Sequence, residues 1–280
     1  MTPSDSGPGR ILITGCSSGI GLDAARTLKA RGWTVYATCR QEADCERLRA
    51  EGLDSFQLDH SDEASLDRAM AEVAARGGLD ALFNNGAYAI PGAVEDLPRG
   101  ALREIYEANV FGWHDLARRV IPLMRAQGHG RIVMCSSILG FVPAKWRGAY
   151  VSTKHALEGL TDVLRLEMAD TPIRIVLIQP GPIATEIRRN SRAPFERWID
   201  WEASPRAEQY RGSLLKRLYV EPPAPTPGEL GPEAVTRALV HALESPRPRA
   251  KYRVTWPTRL AWILRRALPQ RPLDWLCARG

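Results

Sequence analysis

Short apolar runs alternate with amphipathic segments along most of the chain. The apolar runs are rich in Val, Ile and Leu, which is typical of strands buried on both faces of a parallel sheet. This alternation predicts an α/β fold, a doubly wound domain with a mostly parallel seven-stranded sheet flanked by helices. Strands are predicted over residues 10–14, 34–38, 55–58, 80–84, 131–135, 174–178 and 251–256, and helices over 19–31, 42–51, 62–76, 98–127, 149–170, 232–244 and 257–268.

The regular alternation ends near residue 182. The stretch that follows is irregular, and "PPAPTPGELGP" (222–232) is its clearest loop signal. A loop this long inside a compact domain is usually functional or disordered. We therefore expect a flexible tail (residues 1–9), one domain (10–256) whose segment 186–231 forms a lid over the substrate, and a basic amphipathic extension (257–280).

Composition excludes several classes of protein. A content of 44% hydrophobic and 25% charged residues is typical of a soluble globular domain. The first ten residues, "MTPSDSGPGR", lack the apolar region of a signal peptide, and no apolar run approaches the roughly 20 residues that span a bilayer. The five cysteines show no CxxC spacing and the five histidines are scattered, so we expect no metal site and a reducing, cytoplasmic location.

Positive charge is concentrated at the end of the chain. Residues 246–280 hold nine Lys or Arg and one acid, whereas the whole chain has a net charge of +6, so the remainder is slightly acidic. An acidic domain predicts no nucleic-acid partner. In the extension, Leu260, Ile263 and Leu264 share one helical face opposite several arginines. Such a helix either contacts a membrane surface peripherally or docks on its own domain, and the second is our expectation because Trp262 interrupts the polar face.

A glycine-rich loop connects the first predicted strand to the first predicted helix. In "TGCSSGIG", glycine is required where the backbone approaches a pyrophosphate, and the helix that follows presents free N–H groups to the phosphates. The alternative is a tight turn that binds nothing. We predict a dinucleotide site of the Rossmann type at Gly15, Ser17, Ser18, Gly19, Ile20 and Gly21.

The end of the second predicted strand bears on the identity of the cofactor. An acid there suits the ribose 2′-hydroxyl of NAD, and an Arg suits a 2′-phosphate. The sequence reads "VYATCRQE", with Arg40 at that place and no acid before Glu42. The alternative is a solvated Arg that opens a helix. We predict NADP(H) as the cofactor in preference to NAD(H).

These residues, with three further motifs, resemble the short-chain dehydrogenase/reductase family over about residues 8–190. "SSILG" followed by "YVSTK" is similar to its catalytic block, "PGPIAT" (180–185) to its PG motif, and "YEANVFG" to its helix with a catalytic asparagine. The branch that looks nearest is the 17β-hydroxysteroid dehydrogenase and retinol dehydrogenase type. One departure is that the family's NNAG motif reads "NNGA" here, which leaves small residues beside the cofactor.

The resemblance implies roles for individual residues. It implies a catalytic tetrad of Asn109, Ser137, Tyr150 and Lys154, and a homodimer formed through the helices at 98–127 and 149–170. Further cofactor contacts are implied for Asp59, Asn85, Tyr150, Lys154, Pro180, Gly181, Ile183 and Thr185. The alternative for Asp59 and Thr185 is that each caps a neighbouring helix.

The spacing of Tyr150 and Lys154 suits proton transfer. The two residues lie one helical turn apart, and an ammonium beside a phenol favours tyrosinate and lowers a pKa that is normally near 10. Tyr150 is then able to donate a proton to a carbonyl oxygen or accept one from an alcohol, while the Ser137 hydroxyl holds that oxygen. Without the other motifs, a Tyr and a Lys at this spacing would be interpreted as an ordinary pair on the protein surface.

Substrate identity is the least determined feature. Phe141, Trp146 and Trp198, together with Ser137 and Tyr150, are predicted to contact the substrate, and their aromatic character favours a lipophilic ketone, aldehyde or alcohol of steroid, retinoid or long-chain type. Acids in "FERWIDWE" disfavour an anionic substrate near that segment. The alternatives are a 3-oxoacyl thioester reductase and a non-catalytic NADP(H)-binding sensor or scaffold.

Overall fold

The computed structural model describes residues 8–221 and 226–278. Most of the predicted N-terminal tail, part of the predicted 222–232 loop and the last two residues of the predicted extension lie outside the described residues. Within the described ranges, no helix is long and apolar enough to cross a membrane. No group of three or more His, Cys, Asp or Glu side chains in the same ranges is placed to hold a metal ion.

Seven parallel strands form one sheet. Their order is β3-β2-β1-β4-β5-β6-β7, so the chain starts in the middle of the sheet and builds outwards in both directions. Every neighbouring pair is parallel, which makes the sheet wholly and not mostly parallel. The strands are β1 (Arg10–Thr14), β2 (Thr34–Cys39), β3 (Asp54–Gln57), β4 (Ala81–Asn84), β5 (Gly130–Cys135), β6 (Ile173–Gln179) and β7 (Lys251–Arg253).

Helices follow the strands in alternation and flank the sheet. Between β1 and β7 they are α1 (Gly19–Ala30), α2 (Glu42–Ala50), α3 (Glu63–Ala75), α4 (Arg99–Tyr106), α5 (Gly112–Gln127), α6 (Gly148–Glu167), α7 (Ile187–Asn190), α8 (Arg192–Trp198), α9 (Ala207–Gln209), α10 (Leu215–Tyr219) and α11 (Glu233–Glu244). After β7 come α12 (Trp256–Ala267) and α13 (Gln270–Cys277). Single turns of 3₁₀ helix cover Val94–Asp96 and Ile138–Gly140, and π turns cover Glu107–Phe111 and Tyr210–Leu214.

The predicted doubly wound α/β fold is confirmed, with differences in detail. The helix predicted over 98–127 is divided by a π turn at Glu107–Phe111. Part of the irregular segment at 182–231 folds into four short helices, and the sequence pattern did not indicate α13. The last predicted strand is half as long as expected, because the chain turns into α12 at Trp256.

The core lies between the sheet and its helices. Ile11, Leu12 and Ile13 in the central strand have no exposed surface, which explains why β1 is apolar at successive positions. A second, smaller apolar cluster joins α4 and α6 to the segment predicted as a lid (186–231) and includes Ile105, Phe195 and Tyr210. This segment is therefore packed onto the domain by its own hydrophobic residues.

A buried carboxylate ties α6 to the last three strands. Glu158 accepts hydrogen bonds from Ser136 Oγ at 2.8 Å and from Gln179 Nε2 at 2.6 Å, and it pairs with Lys251 Nζ at 3.1 Å. A buried charge is tolerated when it is paired and hydrogen-bonded in this way. The network fixes α6 against the ends of β5 and β6, where the residues of the candidate site begin.

Candidate active site

The carboxyl ends of the strands border a cavity of about 1940 Å³. The cavity is lined by residues that follow each of the strands β1 to β6. It lies at the edge where the strand order reverses between β1 and β4, which is where doubly wound sheets bind their ligands. Four predicted residues lie outside its lining: Gly21, Asn109, Phe141 and Trp198. The other predicted residues line it: Gly15, Ser17, Ser18, Gly19, Ile20, Arg40, Asp59, Asn85, Ser137, Trp146, Tyr150, Lys154, Pro180, Gly181, Ile183 and Thr185.

The glycine loop has the shape of a phosphate cradle. Gly15 and Gly19 have φ angles of +72° and +55°, which disfavour residues with a side chain. A Cβ atom on Gly21 would lie 2.2 Å from the Gly15 carbonyl oxygen, so Gly21 is required for packing behind the loop. Ser18 precedes α1 without capping it through its side chain, which leaves the first N–H groups of the helix for a phosphate. The loop therefore fits a dinucleotide.

The loop after β4 is held directly against the glycine loop. Thr14 Oγ1 accepts hydrogen bonds from the backbone N–H groups of Asn85 at 2.9 Å and Gly86 at 3.0 Å. Asn85 Nδ2 donates to the Thr14 carbonyl oxygen at 3.1 Å. A Cβ atom on Gly15 would lie 2.5 Å from the Gly86 Cα atom. The "NNGA" variant thus places Gly86 where the two backbones touch.

Arginine follows β2 at the nucleotide end of the cavity. Arg40 is exposed and lines the cavity. A second cation that the sequence analysis missed, Arg47, donates to the Ser17 carbonyl oxygen at 2.7 Å and pairs with Asp44 at 3.3 Å. The Asp44 carboxylate, which also lines the cavity, is therefore partly neutralised.

Local structure distinguishes the predicted roles of Asp59 and Thr185. Asp62, and not Asp59, caps α3 by accepting a hydrogen bond from Ala64 N. The N-cap position of α7 is Glu186, so Thr185 does not cap that helix. The helix-cap alternative for both residues is wrong. A Cβ atom added to Gly19 would lie 3.1 Å from the Thr185 methyl group, which brings the PG loop against the glycine loop.

Tyr150, Ser137 and Lys154 converge at the end of β5. Tyr150 and Lys154 are both buried in α6. Lys154 Nζ donates to the Cys135 carbonyl oxygen at 2.8 Å and lies 4.2 Å from the centroid of the Trp113 ring and 5.6 Å from that of Tyr150. The Ser137 hydroxyl interacts with the Tyr150 phenol and lowers its pKa. The arrangement offers a hydroxyl, a phenol and an amine to one cavity.

Burial shifts the pKa values of the phenol and the amine in opposite directions. It raises the pKa of Tyr150 well above its usual value, and Cys135 adds to the rise, whereas the Arg147 guanidinium and the Ser137 hydroxyl lower it. Burial lowers the pKa of Lys154 to about 8, although Cys135 and Glu158 act in the opposite direction. The expectation that Lys154 lowers the pKa of Tyr150 is therefore wrong: the net pKa is raised, and the cation that lowers it is Arg147, which sequence reasoning missed.

Asn109 lies in the π turn between α4 and α5. Its Oδ1 accepts from Tyr88 N at 3.2 Å, and its Nδ2 donates to Tyr88 O at 2.8 Å and contacts Thr153 Oγ1 at 3.4 Å. π turns are frequent at functional sites because they redirect one side chain out of the helical register. Asn109 therefore reaches α6 one residue before Lys154, without itself lining the cavity.

The aromatic residues predicted for the substrate have different surroundings. Trp146 lines the cavity, and its ring lies 4.7 Å from that of Tyr210. Phe141 is buried away from the cavity, and the Trp198 ring packs against Gly100 of α4, where an added Cβ would lie 2.8 Å from it. Phe141 and Trp198 are thus packing residues, because their rings attach loops to the domain.

The C-terminal helices form another wall of the cavity that sequence reasoning missed. Leu260 and Leu264 of α12 and Leu273 and Leu276 of α13 line it. A Cβ atom on Gly181 would lie 2.1 Å from Thr255 Oγ1, so the glycine of the PG loop permits α12 to begin there. The basic side of α12 is exposed, and Trp262 lies between the guanidinium groups of Arg253 and Arg266 at 4.0 and 4.1 Å.

The fold and this site define a dinucleotide-binding α/β oxidoreductase. The family model for short chain dehydrogenases matches residues 10–195. The chain belongs to the short-chain dehydrogenase/reductase family, as the sequence resemblance implied.

Individual relatives extend this similarity over almost the whole chain. The chain is 36% identical to the uncharacterized oxidoreductase YbbO of Escherichia coli K12, over 94% of this chain and 92% of that protein. It is 30% identical to an NADPH-dependent 3-dehydrocapnine reductase of Ornithobacterium rhinotracheale (94% of each chain) and 31% identical to 17-beta-hydroxysteroid dehydrogenase type 6 of Rattus norvegicus (96% and 87%). Among solved structures, a Burkholderia phymatum short-chain dehydrogenase/reductase in complex with NAD has a TM-score of 0.77 and 25% identity over 92% of both chains.

A histidine beside the cavity makes the stability of the fold depend on pH. Burial lowers the pKa of His60 to about 4, although Asp59 acts in the opposite direction. An unfolded histidine, with a pKa near 6.5, binds a proton between pH 6.5 and 4 that the folded protein excludes. Stability is therefore lost as the pH falls through this range, by up to about 3 kcal/mol. We expect His60→Phe to flatten this part of the curve of unfolding free energy against pH, measured by urea denaturation.

The exposed His114 supplies the control for this experiment. His114→Gln should keep the native dependence on pH. An unchanged slope between pH 6.5 and 4 in His60→Phe would contradict the assignment.

Proposed function

We propose that the protein is an NADP(H)-dependent oxidoreductase that interconverts a lipophilic ketone or aldehyde and the corresponding alcohol. The observation that carries the proposal is that Ser137, Tyr150 and Lys154 line the same cavity as the glycine loop. A proton donor and an oxygen-binding hydroxyl thus lie in the cavity that fits a dinucleotide.

Each member of the tetrad has a definable part in the reaction. A bound nicotinamide supplies or accepts the hydride. Tyr150 donates its phenolic proton to the carbonyl oxygen during reduction and receives it back during oxidation. Ser137 donates a hydrogen bond to the same oxygen and stabilises the negative charge that develops there. Lys154, with a pKa of about 8, exchanges protons near neutral pH, and Asn109 positions the turn of α6 that carries it.

NADP(H) is the cofactor that the charges at the nucleotide end favour. Arg40 is an exposed cation directly after β2, and Arg47 forms an ion pair with the Asp44 carboxylate. A guanidinium binds phosphate through two parallel hydrogen bonds. A relative that is 30% identical is NADPH-dependent by name, whereas a neighbour that is 25% identical was solved with NAD. The nucleotide contacts are assigned to Gly15, Ser17, Ser18, Gly19, Ile20, Arg40, Asp59, Asn85, Pro180, Gly181, Ile183 and Thr185.

A lipophilic substrate is supported by the leucines of α12 and α13. These side chains and Trp146 add apolar surface to the cavity, which suits an extended chain or fused rings. A relative that is 31% identical is named as a 17-beta-hydroxysteroid dehydrogenase. A 3-oxoacyl thioester reductase remains the second candidate, because cations also line the cavity. A non-catalytic sensor is disfavoured because all four tetrad residues are present.

A homodimer is supported by exposed apolar side chains on α5 and α6. Leu123, Leu160, Val163 and Leu166 are 37%, 46%, 53% and 72% exposed. Such residues on neighbouring helices suit burial against a second copy of the same chain. The five cysteines are unpaired, which suits a cytoplasmic location. Four leucines of α12 and α13 line the cavity, which favours a role as its wall, but Leu260, Ile263 and Leu276 are also 43%, 53% and 39% exposed, so peripheral membrane contact stays a prediction.

Removal of the Tyr150 hydroxyl tests the proposed chemistry. We expect Tyr150→Phe to lower kcat by about 10²- to 10⁴-fold, because the reaction loses its general acid. Binding of NADPH, measured by fluorescence titration, should be unchanged because the cradle is intact. Turnover is followed by NADPH absorbance with steroid, retinal, aliphatic and acyl-thioester carbonyls. The control is Tyr106→Phe on α4, outside the cavity, and equal activity of the two variants would contradict the role of Tyr150.

Replacement of Arg40 tests the preference for the cofactor. We expect Arg40→Ala to lower kcat/KM for NADPH by about 10- to 100-fold, the worth of a charged hydrogen-bonded contact, and to leave the value for NADH nearly unchanged. The measurement compares both cofactors at equal concentration. Arg68→Ala on the exposed face of α3 serves as the control. A native protein that prefers NADH would show that Arg40 does not select the cofactor.

A further inference from the structure

Arginine is concentrated on the lid side of the cavity. The basic side chains that line this side are Lys145, Arg147, Arg188, Arg189, Arg197 and Arg217. Three acids line it as well, and two of them form ion pairs: Glu104 with Arg197 at 3.0 Å and Glu186 with Arg189 at 3.3 Å. The third, Glu229, lies in the loop before α11. The lid side therefore carries an excess of positive charge.

Arg147 and Arg188 have no internal counter-ion. Over residues 8–221 and 226–278, neither guanidinium lies within 4.0 Å of a carboxylate oxygen or makes a side-chain hydrogen bond to the protein. Most arginines nearby do have such a partner, including Arg192, which pairs with Glu221, and Arg197. Two unpaired guanidinium groups in one cavity are available to a ligand.

The position of Arg147 is unfavourable for the stability of the protein. It is the N-cap residue of the 20-residue helix α6, whose first turn contains no acid. A cation there faces the positive end of the helix dipole. Burial lowers the pKa of Arg147, and the charges of Arg217 and Arg188 lower it further. An arginine that is partly buried without an anion costs free energy, which a bound anion offsets.

The backbone is strained at the residue before Arg147. The preceding residue, Trp146, has a φ of +67°, in a region that bulky side chains rarely adopt. Its carbonyl oxygen accepts a hydrogen bond from Gly92 N at 3.0 Å, and its Nε1 contacts Ser213 Oγ at 3.3 Å. Such strain costs about 1–3 kcal/mol and persists where surrounding contacts enforce it, commonly at ligand sites.

We infer that Arg147 and Arg188 form a subsite for an oxyanion, a carboxylate or a phosphate, on an otherwise apolar substrate. Arg147 lies three residues before Tyr150, within about one helical turn, and both residues line the cavity, which places the anion in the same cavity as the reacting carbonyl. The leucines of α12 and α13 line the same cavity and receive the apolar chain. The substrate is thus an anionic amphiphile, an identification that rests on the proposed function.

This inference corrects the expectation from "FERWIDWE". The acids of that segment were expected to disfavour an anionic substrate. Glu196 accepts a hydrogen bond from Tyr219 Oη at 2.6 Å, and Asp200 and Glu202 are exposed and do not line the main cavity. None of these three carboxylates lines the cavity.

Equilibrium binding of inert amphiphiles tests the subsite without turnover. Isothermal titration of the full chain, saturated with NADPH so that the alcohol has no hydride acceptor, compares decanoate and decyl phosphate with decan-1-ol. We expect at least one anion to bind 10-fold or more tightly than the alcohol, and the tighter one identifies the headgroup. Arg147→Gln and Arg188→Gln should each weaken anion binding about 10- to 100-fold and leave decan-1-ol unchanged, since a hydrogen bond to a charged group contributes on this scale. Arg147→Lys should recover part of the loss.

Arg211→Gln is the matched control, because Arg211 belongs to the lid but does not line the cavity. Its binding of both kinds of ligand should be that of the native protein. Equal affinity of the native protein for the anions and the alcohol would overturn the subsite, as would unchanged anion binding in both Arg147→Gln and Arg188→Gln.

Turnover of matched long-chain ketones with and without a carboxylate separates failure of the subsite from failure of the proposed function. Carbonyl reduction without a preference for anionic substrates would overturn the subsite and leave the oxidoreductase proposal intact. Selective anion binding without reduction of any carbonyl would support the subsite and overturn the oxidoreductase proposal.

Discussion

The site depends on the direct contact between two loops at the carboxyl edge of the sheet. Thr14 at the end of β1 accepts hydrogen bonds from Asn85 N and Gly86 N after β4, and the backbones of Gly15 and Gly86 touch where a Cβ atom would collide. This contact joins the loops after β1 and β4 at the point where the strand order reverses. The phosphate cradle after β1 takes its position from this contact. A side chain at Gly15 or Gly86 would separate the loops and disturb both halves of the cavity.

Opposite pKa shifts follow from the burial of polar groups around this cavity. A buried phenol holds its proton more strongly and a buried amine holds it less strongly, so the proton affinities of Tyr150 and Lys154, which are similar in water, are moved apart. The phenol therefore keeps its proton at neutral pH, as a proton donor requires. The Glu158 network holds α6 in place, because it connects this helix to β5, β6 and β7.

The sequence predicts what local rules determine and misses what tertiary packing determines. Apolar runs predicted each strand to within a few residues, and the glycine spacing predicted the cradle, because both depend on backbone geometry. Phe141 and Trp198 were assigned to the substrate because their rings lie in loops, but packing turns these rings onto the domain. Arg147 was missed because its exposure to the cavity depends on the positive φ of Trp146, which no sequence rule indicates. The cavity wall formed by α12 and α13 was missed because it requires the fold of the whole chain.

Hydride transfer to a carbonyl carbon is the central claim, and isotope transfer measures it most directly. The protein would be incubated with NADPH deuterated at C4 of the nicotinamide, on either face, and with a long-chain ketone carrying a carboxylate. Mass spectrometry would then locate the label in the product. The account predicts one deuterium on the carbinol carbon from one of the two cofactor isomers and none from the other. Alcohol without deuterium from either isomer, or no alcohol from any carbonyl of the panel, would contradict it.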